Sequence, residues 1–563
     1  MGIPSYFSYI VKNHAKIIRK FDAKSLVVNN LYLDANSIIY DCVHKIDFTS
    51  LKESDVDAIQ SAVFHKIDEY IALIRPDSNI YIAFDGVAPT AKLEQQRQRR
   101  YKSRVQNELA KAVYKGAKPD PWNTAAITPG TSFMAKLNTS LRTRFHDATK
   151  YNVKNLILSP SDRYGEGEHK LFEYIRAFPE QHRDQNTVIY GLDADLIMLS
   201  INHLPVSKNI YLFRETPHFI QSISRDLLPN ESYLMDIPEL AKALVIEMNP
   251  LLNPLLKKWS KTNEPHVATD LAPPFPKVDK EPHVATDLAP PFPKVGDYIF
   301  MCFFLGNDFM PHFPSVNIRT GGVDKMMNAY KATIGVTGEF LTNGKQIYWK
   351  NVRKLVQHLA TLEEQHFKAE SALRDKRERM RIPDETPEDK IKKFDALPTY
   401  ERVIEKYIDP KSPNWQSRYY KALFDIEIDD VRKKQICVNY LEGLEWTMKY
   451  YTSGCPDWKW CYHYNYPPLF EDLLKYIPFF DTEFIETKRP APVSELTQLS
   501  YVSPKESLYL LPPKLHERLI QTNWYKSDCD VVWAYCRYFW ESHVVMPEID
   551  IDELERIVST QRT

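Results

Sequence analysis

The chain has 563 residues, enough for two large lobes with substantial cores. Apolar residues make up 43% and charged residues 26%, which excludes global disorder, and Lys+Arg 73 against Asp+Glu 74 leaves a net charge of −1. Affinity for an anionic polymer must therefore come from local basic patches. Seven cysteines without a Cys-x-x-Cys pair argue against a disulfide framework or a zinc knuckle. The opening MGIPSYFSYI lacks a basic region followed by an apolar core, and no apolar run approaches the ~18 residues of a membrane span. The expectation is a soluble, intracellular protein without membrane contact. It is cytoplasmic ahead of nuclear, because two acids dilute the basic run RDKRERMR at 374–381.

Residues 1–260 alternate β-rich runs (LVVNNLYLD, NIYIAFD, KNLILS, NTVIYGLD) with helical or mixed stretches. That alternation predicts an α/β fold around a mostly parallel central sheet with flanking helices. Residues 261–297 hold a Pro-rich tandem duplication, EPHVATDLAPPFPKV at 264–278 and again at 281–295. Two copies cannot build a solenoid, so an extended surface insertion is expected, with a docking peptide as the other reading. Helical periodicity resumes over 298–369 as the C-terminal part of the core. The charged stretch 370–396 reads as a solvated helix face leading to a loop. Residues 397–563, rich in Tyr, Trp and Pro, read as a second, irregular and aromatic-rich lobe packed on the core.

Seven acids stand in distinctive contexts: Asp34 in LYLDANSII, Asp85 in YIAFDGVAP, Glu166 and Glu168 in YGEGEHKLFEYIR, Asp193 and Asp195 in YGLDADLIML, and Asp308 in FFLGNDFMPH. Any one of them could be a helix cap or a turn former. Together they fall where α/β sheets bind ligands, at the carboxyl ends of strands. Two carboxylates 4 Å apart repel by about 4 kcal/mol at an effective dielectric near 20, so a cluster needs protons or cations. Oxygen-only ligands select Mg²⁺ or Mn²⁺, and two such ions serve in-line phosphodiester displacement. A metal-dependent nuclease is the expectation. Lys170 would place a cation beside the metals to steady the scissile phosphate. His169 reads as a packing residue or as a neighbour of a metal ligand.

From Lys92 to Arg104, KLEQQRQRRYKSR carries six basic residues and one acid. Lys92, Gln96, Arg99 and Arg100 fall at i, i+4, i+7 and i+8 and share one helix face, suited to holding a phosphate beside the metals. A solvated charged helix is the plainer reading, which the position just beyond Asp85 outweighs. Further on, Trp458, Trp460, Tyr462, Tyr464 and Tyr466 alternate. An alternating face either packs between lobes, the favoured reading, or stacks on single-stranded RNA. Trp540 in FWESHVV is a further base-stacking candidate.

These segments together resemble the 5′-to-3′ exoribonucleases of the Xrn/Rat family. The likeness runs through MGIPSYF, LYLDANSII, FDGVAPTAKLEQQRQRRYK, ITPGTSFM, GEGEHK, GLDADLIML and GNDFMPHFPS, then YYK, YLEGLEWTMKYYTSGCPDWKWCYHYNYPP and FWESHVVMPEIDIDEL. The resemblance implies a PIN/flap-nuclease-like core in a compact catalytic unit without the long C-terminal extension. It implies a Mg²⁺-dependent enzyme degrading single-stranded RNA processively from a 5′-monophosphate end, with decapping machinery as a possible supplier. It also carries the metal-ligand role onto Asp34, Asp85, Glu166, Glu168, Asp193, Asp195 and Asp308, and the 5′-phosphate pocket onto Lys92, Gln96, Arg99 and Arg100. Tyr40 stands where the family usually has a base-stacking His, Thr90 where it usually has Arg, and Glu94 where it often has an amide. The alternatives are a structure-specific flap endonuclease acting on DNA and a catalytically inactive RNA-binding scaffold. Against the first, no glycine-paired helical hairpin follows GNDFMPHFPSVNIRTGG; against the second, all seven acids are kept.

Overall fold

A computed structural model describes residues 3, 5–22, 26–45, 56–114, 122–215, 227–228, 231–249, 292–427, 429–487, 492–526 and 529–560. Strands β1 (Ile18–Lys20), β2 (Asn30–Asp34), β3 (Asn79–Ala83), β4 (Asn155–Ser159), β5 (Asn186–Tyr190), β6 (Asn209–Glu215) and β7 (Ser232–Asp236) form one sheet in the order β1-β7-β6-β5-β2-β3-β4. The five strands from β6 to β4 run parallel, and β7 and β1 close one edge antiparallel. The chain leaves β2 outward to β3 and β4, then returns to the other side of β2 as β5 and β6. The strand order therefore reverses between β2 and β5, and the crevice at such a reversal is where α/β sheets bind ligands.

β2 (NLYLD) and β3 (NIYIA) are buried along their whole length because both faces of the sheet are covered. Tyr32, Tyr81 and Ile189 join one core, while Leu31, Leu33, Ile80, Ile82, Val188 and Tyr190 join the other. Fully burying a side chain of this kind stabilises by about 1.5–3 kcal/mol, so the pattern pins both the strands and their register. At the opposite ends of the strands runs a ladder of amides. Asn155 donates to Asn79 across 2.8 Å, Asn79 to Asn30 across 2.6 Å, and Asn30 to Thr187 across 3.0 Å.

Most of the duplicated segment, residues 264–291, lies outside the described residues. Its last four residues, Phe292 to Val295, already belong to the helix Phe292–Phe303 rather than to an extended insertion. The long helix Trp349–Glu378 runs unbroken from the part expected as core into the charged stretch, and the second lobe is built around Asp430–Thr452 with irregular backbone over 453–469, so it is more helical than the irregular lobe expected. The expectation of a solvated face over 370–396 fails in its first part. Glu370 and Arg374 are buried. The Arg374 guanidinium donates to Glu370 (2.8 Å), Glu405 (3.1 Å) and the carbonyls of Cys536 (2.9 Å) and Tyr535. An i,i+4 ion pair whose three guanidinium nitrogens all find acceptors tolerates burial, so its charge is no sign of solvent. The helix Pro387–Asp395 has no buried residue and fits the original reading. Of the alternating aromatics, Trp460, Tyr462 and Tyr466 are buried, with Trp460 stacked on Trp446 at 5.2 Å, as packing requires. Among the described residues no helix is long and apolar enough to cross a membrane.

Candidate active site

The acids come to the carboxyl ends of β2, β3 and β5. Asp34 is the last residue of β2, and Asp85 follows the end of β3 by two residues. Asp85 accepts from Asn36 (2.8 Å) and from the backbone N–H of Gly167 (2.7 Å). Gly167 opens the helix Gly167–Ala177, whose N-terminal N–H groups favour negative charge. A Cβ at Gly167 would sit 2.5 Å from Asp34 Oδ1, so only glycine lets the helix end approach both carboxylates. Glu166 is the N-cap residue of that helix and Glu168 lies in its first turn, both buried.

Asp195 heads the helix Asp195–Asn202 after β5, and its N–H points at Asp193 Oδ1 (3.3 Å). Asp308 lies in the loop after the helix Phe292–Phe303, where Asn307 Oδ1 accepts from the N–H groups of Phe309 and Met310, each at 2.9 Å. Asp193, Asp195 and Asp308 each offer a carboxylate oxygen within 4.8 Å of the others, a set able to hold a metal ion.

Burial dominates the electrostatics. It raises Asp34, with Asp85 adding to the effect, to about 8, and raises Asp195, with Asp308 adding, to about 6. Burial also lifts Glu166, and lifts Glu168 well above the usual carboxylate range. Asp308 goes the other way. Burial opposes its ionisation, but Lys92 overcomes that and holds it well below the ordinary value. The Lys92 ammonium lies 2.6 Å from Glu166 Oε2 and 2.7 Å from Asp308 Oδ2, so this side chain from the basic helix sits among the acids. Burial disfavours its charge, yet Asp308 and Glu166 hold its pKa well above that of a free lysine. Among the described residues Asp34 Oδ1 and Asp195 Oδ1 are buried with no hydrogen-bond partner. Hard oxygen donors and orphaned buried oxygens fit a divalent cation.

The basic helix spans Thr90–Tyr114. Gln96, Arg99 and Arg100 are half-buried along it. Arg100 donates to Thr128 Oγ1 (2.5 Å), while its Nη1 is buried without a partner. Burial pulls its pKa down to about 10, with Tyr40 and Arg99 as the neighbours that act on it. Tyr40 thus borders the same pocket from the helix Asn36–Lys45. The helix is clasped by the second lobe. Arg97 donates to Pro547 O (2.9 Å), Gln98 trades two hydrogen bonds with the backbone of Val544, and Lys102 donates to the carbonyls of Trp540 and Ser542. Trp540 is 45% exposed and stacked on Tyr538 at 4.3 Å. Thr90 and Glu94, the departures noted in sequence, bond Trp458 O and Tyr501 and so tie this helix to the second lobe.

Lys170 is buried and donates to the carbonyls of Phe84 (2.6 Å) and Pro160 (3.2 Å), and burial brings its pKa down to about 8. Its ammonium therefore fixes the turn that presents Asp85. His169 stacks on Tyr450 with ring centroids 3.7 Å apart, and burial drives its pKa well below that of free imidazole. Sequence reasoning missed four contributors: Asn36, Thr128, Tyr450 and Tyr451. Tyr450 donates to Glu166 Oε1 across 2.8 Å, and the buried Tyr451 is a neighbour that acts on Asp195. All four stood inside segments carrying the family resemblance, but nothing local set them apart.

An α/β core that gathers carboxylates and one lysine at its strand reversal, beside a helix of arginines, is the core of a nuclease. Its N-terminal part matches the family described as XRN 5′-3′ exonuclease N-terminus over residues 1–216, and the rest matches the Xrn1 helical domain over 294–411 and 408–561. The chain belongs to the XRN 5′-3′ exonuclease family.

Among curated relatives, the 5′-3′ exoribonuclease 2 homolog of Drosophila melanogaster is 27% identical, with 98% of this chain and 70% of the relative covered. The 5′-3′ exoribonuclease 2 of Gallus gallus is 27% identical over 98% of this chain and 69% of its own length. The 5′-3′ exoribonuclease 1 of Saccharomyces cerevisiae is 26% identical over 91% of this chain and 40% of its own.

Proposed function

We propose that the chain is a 5′-to-3′ exoribonuclease that degrades single-stranded RNA from a 5′-monophosphate end, processively, to mononucleotides. Family membership supports the reaction class, and the observation that carries the choice of end is Arg100. A buried guanidinium nitrogen, Nη1, with no hydrogen-bond partner among the described residues suits an anion that arrives with the ligand. The pocket face of Arg100, Arg99 and Gln96 continues along the helix to Lys92, which lies among the acids. One helix thereby sets the distance from the terminal phosphate to the site of cleavage.

In this reading Asp34, Asp85, Glu166, Glu168, Asp193, Asp195 and Asp308 would hold two divalent cations, Mg²⁺ or Mn²⁺. Such ions supply Lewis-acid stabilisation of the attacking and leaving oxygens. The protein's own groups do the rest. Arg100, Arg99 and Gln96 grip the 5′-phosphate, and Tyr40 stacks on a terminal base, a contact worth about 1–3 kcal/mol. Lys170 keeps the Asp85 turn in place. Trp540 offers a second ring to the strand from beside the helix. An RNA from which a decapping reaction has left a monophosphate is the fitting substrate.

The test uses one 3′-labelled RNA with monophosphate, triphosphate or hydroxyl at its 5′ end, incubated with the protein and Mg²⁺. Rapid loss of the monophosphate form without intermediates is expected. Equal cleavage of all three, or internal fragments, would mean an endonuclease, and no cleavage with either ion would mean a binding scaffold.

A further inference from the structure

The helix Asp430–Thr452 reaches the acids with two consecutive tyrosines near its C-terminal end. Tyr450 donates to Glu166 Oε1 at 2.8 Å. Glu166 is the N-cap of the helix that follows β4, so a residue of the second lobe holds an acid of the core.

The phenols are fixed in their turn. Both tyrosines are buried. Tyr450 is sandwiched by His169 (3.7 Å), Trp446 (4.8 Å) and Phe309 (5.5 Å), and Tyr451 lies edge-on to Phe303 (5.5 Å). Buried hydroxyls of the lobe find different acceptors: Tyr419 donates to Pro467 O, Tyr440 to Pro311 O and Tyr525 to Ser500 O, while Tyr501 donates to Glu94 Oε2. Tyr450 is directed at Glu166, one of the clustered acids. On Glu166 the phenol takes Oε1 and leaves Oε2 to a cation, the place the Lys92 ammonium holds at 2.6 Å.

We propose that Tyr450 is a positioning residue of the metal centre, orienting Glu166 so that the second lobe fixes how this carboxylate presents Oε2 to a bound ion. The assignment rests on the two-ion reading above. Partners of this kind alter metal affinity by about 10–100-fold when removed.

The experiment compares the full chain with Tyr450→Phe, which loses only an oxygen, by Mn²⁺ titration followed through the EPR signal of free Mn²⁺. Thermal melting and the Kd for a 5′-monophosphate RNA in the absence of metal are measured alongside. The variant is expected to bind Mn²⁺ at least about tenfold more weakly, with RNA affinity unchanged and lost turnover regained at high Mn²⁺. If it melts early, Tyr450→Phe is compared in the Glu166→Gln background, where it must produce no further loss; additive losses overturn the assignment. Wild-type Mn²⁺ binding in the variant overturns it alone, whereas a wild-type chain that takes no Mn²⁺ overturns the two-ion reading as well.

Discussion

Lys92 reaches Asp308 across 2.7 Å and joins the basic helix to the loop that carries the last acid of the cluster. With Glu166 on its other side, the ammonium neutralises two buried carboxylates at once. Removing one partner of a buried ion pair destabilises by about 3–5 kcal/mol. Lys92→Met is therefore expected to lower the unfolding free energy of the metal-free protein at pH 8, read from urea titration, by an amount in that range, and saturating Mg²⁺ is expected to recover most of it. A midpoint equal to wild type without metal would show that Lys92 does not carry the charge balance.

Asp195 has one oxygen orphaned in the interior and a carboxyl that burial keeps partly protonated. Asp195→Ala should lower kcat by at least about 10³-fold, the effect of losing ~4 kcal/mol of Lewis-acid stabilisation. RNA binding should stay within a few-fold, since the phosphate pocket lies on another element. Single-turnover hydrolysis and filter binding read the two effects separately, and near-normal turnover in a folded variant would remove Asp195 from the centre.

Arg100 is tested by selectivity rather than by rate. A hydrogen bond to a charged group contributes about 1.5–3 kcal/mol, so Arg100→Ala should weaken kcat/KM on monophosphate RNA by roughly 10–150-fold. The hydroxyl-ended RNA should be little affected, which narrows the difference between the two. An undiminished preference would place the phosphate elsewhere.

The pH dependence follows from protons held by buried carboxyls. Asp34 titrates near 8 when folded, against about 3.9 in an unfolded chain. Between those values the folded state binds more protons, so stability falls as pH rises. Buried histidines such as His169 have the opposite slope, but theirs ends near the free-imidazole value of about 6.5. Glu363, raised by burial to about 8 below the N–H groups of Phe470 and Glu471, shares the sign of Asp34 but lies away from the acids. The metal-free protein should therefore lose stability from pH 6.5 to 7.5, below the range near 8 where Lys170 and Lys102, lowered by burial, contribute the opposite sign, and Mg²⁺ should remove the Asp34 share of the slope. Mn²⁺ binding at pH 7 should release protons, seen as a calorimetric heat that varies with buffer ionisation enthalpy. A buffer-independent heat would mean the carboxyls were already ionised.

Much of this site was legible in the chain. β-rich runs ending in Asp34, Asp85 and Asp193 gave both the parallel sheet and the place of its chemistry, because strand ends and the order reversal follow from connectivity. The 3.6-residue period put Arg100 and Lys92 on one face. What local sequence could not show was direction at long range. Lys92 reads as one more cation of a basic helix until Glu166 and Asp308, distant in sequence, close around it. Tyr450 and Tyr451 sit among many aromatics, and only packing decides which phenol meets an acid. Arg374 failed as a solvent marker because its partners Glu405, Tyr535 and Cys536 are remote along the chain. The strands β1, β6 and β7 escaped notice because β1, at the sheet edge, has only three residues, while β6 and β7, inside the sheet, are partly exposed and carry a weaker apolar signature than β2 or β3.

The amide ladder of Asn30, Asn79 and Asn155 lies four residues from the carboxyl ends of its strands, a distance of about 13 Å. A strand displaced by one residue would move its terminal side chain by about 3.3 Å along the sheet and turn it to the other face. Each rung forbids that displacement, since the neighbouring amides no longer meet. The ladder works as a gauge block for the opposite rim, holding constant an alignment that it never touches.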